Sequence, residues 1–202
     1  KGLLPLPDPD LAADMYEWLG ETLEENGYMQ YEISNWAKNV ERRKSNVKAQ
    51  TFNVRHLTPS HACKHNLQYW RSLPYLAFGA GAHGYADGYR YSNVLRIKTY
   101  IDRLTNYSIT NYTFPLSPET VNNHKQSLED DMSEYMLNNL RLVEAGAAEP
   151  DFRSRFGRGL LEVYPKEIEE LLRNGLLEQA GDVYRLTKRG RLLGNQVFVR
   201  FV

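Results

Sequence analysis

The first regular pattern along the chain predicts an amphipathic helix followed by a strand. Apolar side chains recur three and four positions apart, the spacing of one helix face; they are Leu11, Met15, Trp18, Leu19 and Leu23. Asp8 and Pro9 predict the helix start, since a carboxylate caps free N–H groups and proline suits the first turn. Asn26-Gly27 predicts its end. Residues 28–33 then predict a strand, and residues 34–36 follow it where α/β folds place ligands.

The middle of the chain predicts short elements around a loop of small residues. Residues 75–78 predict a short buried strand, residues 89–94 a second strand, and residues 97–104 a short helix. Phe78-Gly79-Ala80-Gly81-Ala82-His83-Gly84 is the loop, in which small side chains let a ligand approach the backbone. Residues 37–60 are basic and weakly periodic. They predict a surface excursion, with a phosphate- or carboxylate-binding loop as the alternative.

The C-terminal part predicts helices and one hairpin. Ser127 with Asp130 resembles a capping box. The apolar stripe of the helix that follows contains Leu128, Met132, Tyr135, Met136, Leu140 and Val143. Pro165 opens a second helix, residues 176–186 predict a hairpin, and Thr187 caps a last helix. A winged-helix module has its elements in the same order: helix, helix, hairpin and helix.

A stretch rich in Asn, Thr, Ser and Pro, residues 105–118, predicts a linker between two domains. We therefore expect one domain over residues 1–110 and a second, helical one over residues 111–202. The chain begins at Lys1 rather than at a methionine, and we expect it to be a portion of a longer protein.

Composition is that of a globular protein and excludes several classes. Hydrophobic residues make up 42% of the 202 residues, enough to build a core. The 25 basic and 25 acidic residues balance, so no global field favours nucleic acid or an anionic membrane. No run of about 18 apolar residues exists, so no membrane span is expected. The single cysteine, Cys63, excludes a disulfide within the chain and predicts a reducing, cytoplasmic compartment.

Residues 61–70 are the segment richest in groups that bind metals or flat rings, with two His, the Cys, an Asn, a Tyr and a Trp. His61, Cys63 and His65 are two residues apart, which is not a common zinc spacing, and a fourth zinc ligand would be required. Cys63 as a catalytic nucleophile would require a base and an oxyanion hole, and neither is identifiable.

A haem site fits the same segment better. Cys63 or His65 could be the axial ligand of haem iron, with Tyr69 and Trp70 against the macrocycle. The alternative is that Cys63 is a small buried hydrophobic residue and that the segment has only a structural role.

Two other patterns are less specific. The Gly79, Gly81 and Gly84 spacing matches neither a Walker loop nor a dinucleotide fingerprint, and a tight turn explains it equally well. Near the predicted hairpin lie the basic residues Arg185, Lys188, Arg189 and Arg191. DNA binding through them is disfavoured by five nearby glutamates and by the neutral chain.

Four segments together resemble one known family. They are residues 31–37 (YEISNWA), residues 63–70 (CKHNLQYW), residues 75–84 (YLAFGAGAHG) and residues 185–193 (RLTKRGRLL). They are similar to the oxygen-independent coproporphyrinogen III oxidase-like family of radical S-adenosylmethionine proteins, and within it to the HemW branch of haem chaperones. The resemblance runs from Leu6 to Val202. Residues 38–62 are longer than the link usual in that family.

The resemblance implies the fold class and the cofactors. The family has an α/β barrel with a CxxxCxxC motif for a [4Fe–4S] cluster, and this motif is absent here. The chain is therefore expected to be α/β, with an α+β organisation overall. It would form the C-terminal part of an open radical-SAM-type α/β barrel followed by a small helical, winged-helix-like domain. Without the cluster cysteines, this chain alone is expected not to cleave S-adenosylmethionine, while the full-length parent would hold the cluster and S-adenosylmethionine.

The resemblance also implies binding residues. His65, Asn66, Tyr69 and Trp70 match the HNxxYW sequence associated with haem binding, and Cys63 precedes it. The segment of Gly79, Gly81, Ala82 and His83 matches one that lies beside S-adenosylmethionine in the oxidase.

Three functions stay open. The first is a haem chaperone that binds haem or a porphyrin and passes haem to accepting proteins, with neither nucleic acid nor a membrane span involved. The second is the oxidase, which decarboxylates porphyrinogen propionates. The third is a winged-helix interaction module.

Overall fold

The computed structural model describes residues 8–38 and 59–202. Its N-terminal part is a helix and a hairpin: α1 (Pro9–Glu25), β1 (Tyr28–Glu32) and β2 (Asn35–Lys38). Asp8 caps α1 as predicted, accepting a hydrogen bond from the Asp10 N–H at 3.0 Å. β1 and β2 are antiparallel. The prediction for residues 34–36 is therefore wrong, because the chain turns straight back into β2 instead of leaving the sheet edge.

The apolar stripe of α1 forms at the predicted positions but is not covered by the described residues. Leu11, Met15 and Trp18 are 57%, 62% and 66% exposed. The opposite side of the helix holds the polar contact to the hairpin, where the Tyr16 hydroxyl donates to the Ile33 carbonyl at 2.8 Å. Of the basic stretch at residues 37–60, residues 39–58 lie outside the part of the chain that the structure describes.

The middle of the chain forms a three-stranded antiparallel sheet in the order β3 (His83–Ala86), β4 (Tyr89–Asn93), β5 (Thr120–Lys125). Asp87 and Gly88 join β3 to β4 with φ values of 50° and 74°, the two left-handed residues of a tight hairpin turn. Before the sheet comes α2 (Lys64–Trp70), and after β4 comes α3 (Ile97–Asn106).

One prediction for this region is wrong, and one strand was not predicted. Residues 75–78 are not a buried strand: Tyr75 makes one isolated bridge to Tyr85, and Phe78 is 80% exposed. Strand β5 follows the predicted linker of residues 105–118 and was missed, because its sequence TVNNHK is exposed over five of its six residues and so lacks the apolar alternation that marks a strand. β5 lies beyond the predicted boundary at residue 110 yet pairs with β4, and the boundary itself stays a prediction.

The C-terminal part contains six helices and a small sheet within the described residues. The capping box predicted for α4 is present, with the Ser127 hydroxyl accepting from the Asp130 N–H at 3.0 Å. The predicted last helix is interrupted at Leu193, and α5 and α6 were not predicted. The elements are α4 (Leu128–Asn139), β6 (Ala147–Ala148), α5 (Glu149–Phe156), α6 (Leu160–Val163), α7 (Pro165–Arg173), β7 (Leu177–Ala180), β8 (Val183–Leu186), α8 (Lys188–Leu192) and α9 (Gly194–Phe198). The three strands form a small sheet in the order β6-β8-β7, and the winged-helix-like domain stays a prediction.

The main core belongs to this C-terminal part. Its fully buried side chains include Tyr135, Met136, Leu140, Phe152, Leu160, Ile168 and Val197. A second, smaller cluster joins the β1–β2 hairpin and α2 to the segment after α4 through Tyr31, Ala37, Leu67, Leu142 and Ala145. This second cluster fixes α2 against the C-terminal part. No described helix is both long and apolar enough to cross a membrane.

Candidate functional site

Helix α2 displays the HNxxYW residues on one side and buries the other. His65 and Tyr69, and likewise Asn66 and Trp70, are four residues apart and so lie on the same helix face. Leu67 lies on the other side, 7% exposed in the second cluster. Leu67 therefore anchors the helix, and Trp70 packs partly against the same cluster while it also lines the cavity. His65, Asn66 and Tyr69 are the displayed side chains.

The displayed face lines a cavity of about 680 Å³ between α2, the β3–β4 hairpin and α4. Its volume lies in the range of about 300–1,000 Å³ that small-molecule sites occupy. The walls are formed by Asn66, Tyr69, Trp70, Ser72, Leu73, Tyr75, Tyr85, Arg90, Glu134, Leu137, Asn138 and Arg141. Four of these twelve side chains are aromatic, which suits a flat, largely apolar ligand with a few polar groups.

Arg90 organises one wall. Its guanidinium donates to the Tyr75 hydroxyl at 2.8 Å and forms an ion pair with Glu134 of α4. Its Cζ also lies 4.1 Å from the centre of the Tyr85 ring. Because Arg90 and Glu134 come from different parts of the chain, this pair ties the β3–β4 hairpin to α4 across the cavity.

The tyrosines of this wall stay neutral near pH 7. Burial, and then the hydrogen bond that the Tyr85 hydroxyl donates to Asp131 at 2.8 Å, raise the pKa of Tyr85 to about 12. Burial likewise raises the pKa of Tyr75, although Arg90 opposes the shift. The formal charges that line the cavity are therefore those of Arg90, Arg141 and Glu134.

Two donors of the lining residues are buried away from the cavity surface. Trp70 Nε1 and Arg90 Nε have no hydrogen-bond partner among the described residues. A buried donor without a partner destabilises a protein by about 1–3 kcal/mol, so these two groups destabilise the fold and present no surface to a ligand.

The predicted haem residues are only partly brought together. Asn66, Tyr69 and Trp70 line the cavity. His65 is exposed and lies beside it, with its ring centre 4.9 Å from that of Tyr69 and the two rings perpendicular. Cys63 is exposed at the N-cap of α2 and is not among the lining residues. Its N–H donates to the Tyr31 hydroxyl at 3.4 Å, so Cys63 is not a buried hydrophobic residue in the described structure.

The small-residue loop lies at a different place. Gly81 and His83 line a cavity of about 440 Å³ together with residues 92–96 of the chain. His83 also lines a cavity of about 290 Å³ whose wall includes Tyr75 and Arg90, which line the first cavity as well. The loop N–H groups are used internally: Gly79 donates to the Tyr100 hydroxyl at 3.1 Å, Gly81 to the Val94 carbonyl at 2.9 Å, and Ala82 to the Gly79 carbonyl. The contribution of Gly79, Gly81, Ala82 and His83 to S-adenosylmethionine binding stays a prediction.

The residues present fit haem but not an iron–sulfur cluster. A haem ring needs flat apolar walls, which the cavity offers, and one axial donor. His65 contacts the lining residue Tyr69, although it does not itself line the cavity. A [4Fe–4S] cluster needs several thiolates, whereas the chain has one Cys. No group of three or more His, Cys, Asp or Glu side chains in the described ranges could hold a metal ion.

Nine of the twelve lining residues were missed by the sequence analysis, among them Tyr85, Arg90, Glu134 and Arg141. Arg90 pairs with Glu134 across 44 positions of sequence, and no local pattern indicates such a contact. Tyr85 and Arg90 are opposite each other in the β3–β4 pair. The Asp-Gly turn between them was the one local signal for that hairpin.

Comparisons with known proteins give a consistent set of relatives. The family model described as the HemN C-terminal domain matches residues 126–193. The chain is 35% identical over 202 residues to the haem chaperone HemW of Bacillus subtilis, covering 100% of the chain and 45% of that protein. It is 28% identical to the haem chaperone HemW of Escherichia coli, covering 98% of the chain and 44% of that protein. The chain thus spans less than half the length of the curated relatives that it matches.

A solved structure gives the same fold. The chain superimposes on coproporphyrinogen III oxidase (HemN) from Escherichia coli, a radical SAM enzyme, with a TM-score of 0.63 and 12% identity, over 97% of this chain and 42% of that one. At this identity the match concerns the fold alone, and it confirms the predicted fold class.

Proposed function

We propose that the chain belongs to the oxygen-independent coproporphyrinogen III oxidase-like family of radical SAM proteins and forms the haem-binding part of a HemW-type haem chaperone. The observation that carries the proposal is the position of the HNxxYW residues. Three of the four line the cavity between α2 and α4, and the fourth, His65, lies at its edge.

The walls suit the two chemical parts of haem. Tyr69 and Trp70 present ring surface to the flat macrocycle, and aromatic contacts of this kind contribute about 1–3 kcal/mol per ring. Arginines suit the carboxylates, because a guanidinium matches a carboxylate with two parallel hydrogen bonds. His65 is the proposed axial ligand, since its imidazole is exposed beside a lining residue, whereas Cys63 does not line the cavity.

The remaining functions belong to the rest of the parent protein in this proposal. The parent binds S-adenosylmethionine and a [4Fe–4S] cluster, whose cysteines this chain lacks. Its partners are haem and proteins that accept haem.

A spectral titration tests this proposal. The full-length gene product is titrated with haem while the Soret band is recorded, for wild type and for the His65→Ala and Cys63→Ala variants. We expect His65→Ala to weaken binding and shift the Soret band, because the axial donor is removed. His61→Ala is the matched control: His61 is also exposed and lies in the same segment, and its ring nitrogen contacts the Ser60 hydroxyl at 3.2 Å instead of a cavity residue.

If replacing His65 and Cys63 together leaves both affinity and spectrum unchanged, the ligand assignment is wrong. If wild type binds no haem and instead decarboxylates coproporphyrinogen III under anaerobic conditions with S-adenosylmethionine, the chaperone proposal fails in favour of the oxidase.

A further inference from the structure

Arg141 is a cation held between two aromatic rings at the cavity wall. Its Cζ lies 5.0 Å from the centre of the Trp70 ring and 4.8 Å from that of Phe198. Trp70 belongs to α2 and Phe198 to α9, so the guanidinium bridges the HNxxYW helix and the C-terminal helix. A guanidinium between rings keeps the N–H groups at its edge directed outward in its own plane, which leaves them free to donate.

The backbone around Arg141 is fixed. The Arg141 carbonyl accepts the Ile33 N–H at 3.1 Å, and the Arg141 N–H donates to the Asn138 carbonyl at 3.2 Å. Two residues later, the Val143 N–H donates to the Tyr31 carbonyl at 3.2 Å. The Arg141 backbone is therefore held next to β1, and its side chain starts from a fixed position beside the cavity.

Arg141 has no counter-ion within residues 8–38 and 59–202. Its guanidinium forms neither a hydrogen bond nor an ion pair with any of these residues, in contrast to Arg90, which pairs with Glu134. With Tyr75 and Tyr85 neutral, two guanidinium groups and one carboxylate leave the cavity wall with one excess positive charge, which belongs to Arg141.

We propose that Arg141 binds a propionate carboxylate of haem and thereby fixes the orientation of the macrocycle against Trp70. The inference rests on the proposed haem function and adds a specific anionic contact to it. A carboxylate supplies the partner that Arg141 lacks, in the bidentate geometry that a planar guanidinium favours. Arg90 is not equivalent, because Glu134 already neutralises it.

The test compares haem with haem dimethyl ester, in which both propionates are methylated and uncharged. The full-length gene product is titrated with each ligand, for wild type, Arg141→Gln, Arg141→Lys and Trp70→Ala. We expect Arg141→Gln to weaken haem binding about 10- to 100-fold, as for the loss of a charged hydrogen-bonded pair. Binding of the ester is expected to change less than about threefold, and Arg141→Lys to restore part of the haem affinity.

Arg173→Gln is the matched control, because Arg173 is exposed on α7 and pairs with Glu169 outside the cavity. Thermal unfolding midpoints of all variants separate lost binding from lost folding. Equal weakening of haem and ester by Arg141→Gln would assign Arg141 a purely structural role and overturn the inference. Unchanged haem binding in Arg141→Gln, with binding lost in Trp70→Ala, would also overturn it but leave the haem function standing. If Trp70→Ala leaves haem affinity unchanged, haem does not bind at the proposed site.

Discussion

Replacing Trp70 with alanine is expected to weaken haem binding about 10- to 100-fold. The loss corresponds to about 1.5–3 kcal/mol, the value of burying a large aromatic surface against a flat ligand. Trp70 lines the cavity and carries Arg141 on its ring, so the alanine variant loses both the ring surface and the support for that guanidinium. Equilibrium titration followed at the Soret band measures the change.

Two variants control this measurement. Trp18→Ala removes the same side chain from α1, where it is 66% exposed and not among the residues that line the cavity, and haem affinity should stay unchanged. Trp70→Phe keeps a flat ring and should recover most of the affinity. If Trp18→Ala and Trp70→Ala weaken binding equally, haem does not bind at the α2 cavity.

Replacing Phe152 with alanine is expected to lower the free energy of unfolding by about 3–5 kcal/mol, the usual result for a buried Phe. Phe152 is fully buried in the main core, and its ring centre lies 5.3 Å from that of Tyr135, 4.7 Å from that of Phe156 and 6.3 Å from that of Tyr164. Removing the ring leaves a cavity among three aromatic side chains that cannot all collapse into it. Urea denaturation followed by circular dichroism gives the difference.

Phe78→Ala is the matched control for the same chemical change. Phe78 is 80% exposed, so its replacement should alter the free energy of unfolding by no more than about 0.5 kcal/mol. A loss below about 1 kcal/mol for Phe152→Ala would show that the C-terminal core is not packed as described.

The proposed haem site is formed by two distant stretches of the chain. The HNxxYW helix provides one wall, and α4 with the residue after its cap provides the other through Glu134 and Arg141. The second wall falls inside residues 126–193, the segment matched by the family model of the HemN C-terminal domain. The C-terminal domain therefore has a part in the proposed site beyond supporting the fold, and a chain truncated before α4 would lose half of it.

Local signals in the sequence were sufficient to predict the helices whose ends are marked by capping residues. The capping groups Asp8 and Ser127 fixed the starts of α1 and α4, and Asn26-Gly27 fixed the end of α1. Strand β5 was missed because it pairs along its backbone while its side chains are polar and exposed. The apolar residues 75–78 were taken for a buried strand, although only Ala77 among them is buried.

The same distinction applies to the candidate site. The face of α2 was predictable, because residues four apart on a helix lie together. The opposite wall was not: Arg90 and Glu134 meet across 44 positions, and Arg141 meets Trp70 through the packing of the segment after α4 against the β1–β2 hairpin and α2. Contacts of this kind depend on the tertiary fold, and no single stretch of sequence encodes them.

The most direct test of haem binding at this cavity is the position of the iron. Crystals of the full-length gene product grown with haem would be measured at the iron absorption edge, where an anomalous difference map locates the iron independently of any fitted ligand. We expect a single peak at the cavity between α2 and α4, beside Tyr69 and Trp70, with His65 next to it and a propionate at Arg141. An iron peak beside Gly79 to His83, at the β6-β8-β7 sheet, or at no fixed position would contradict the proposed site.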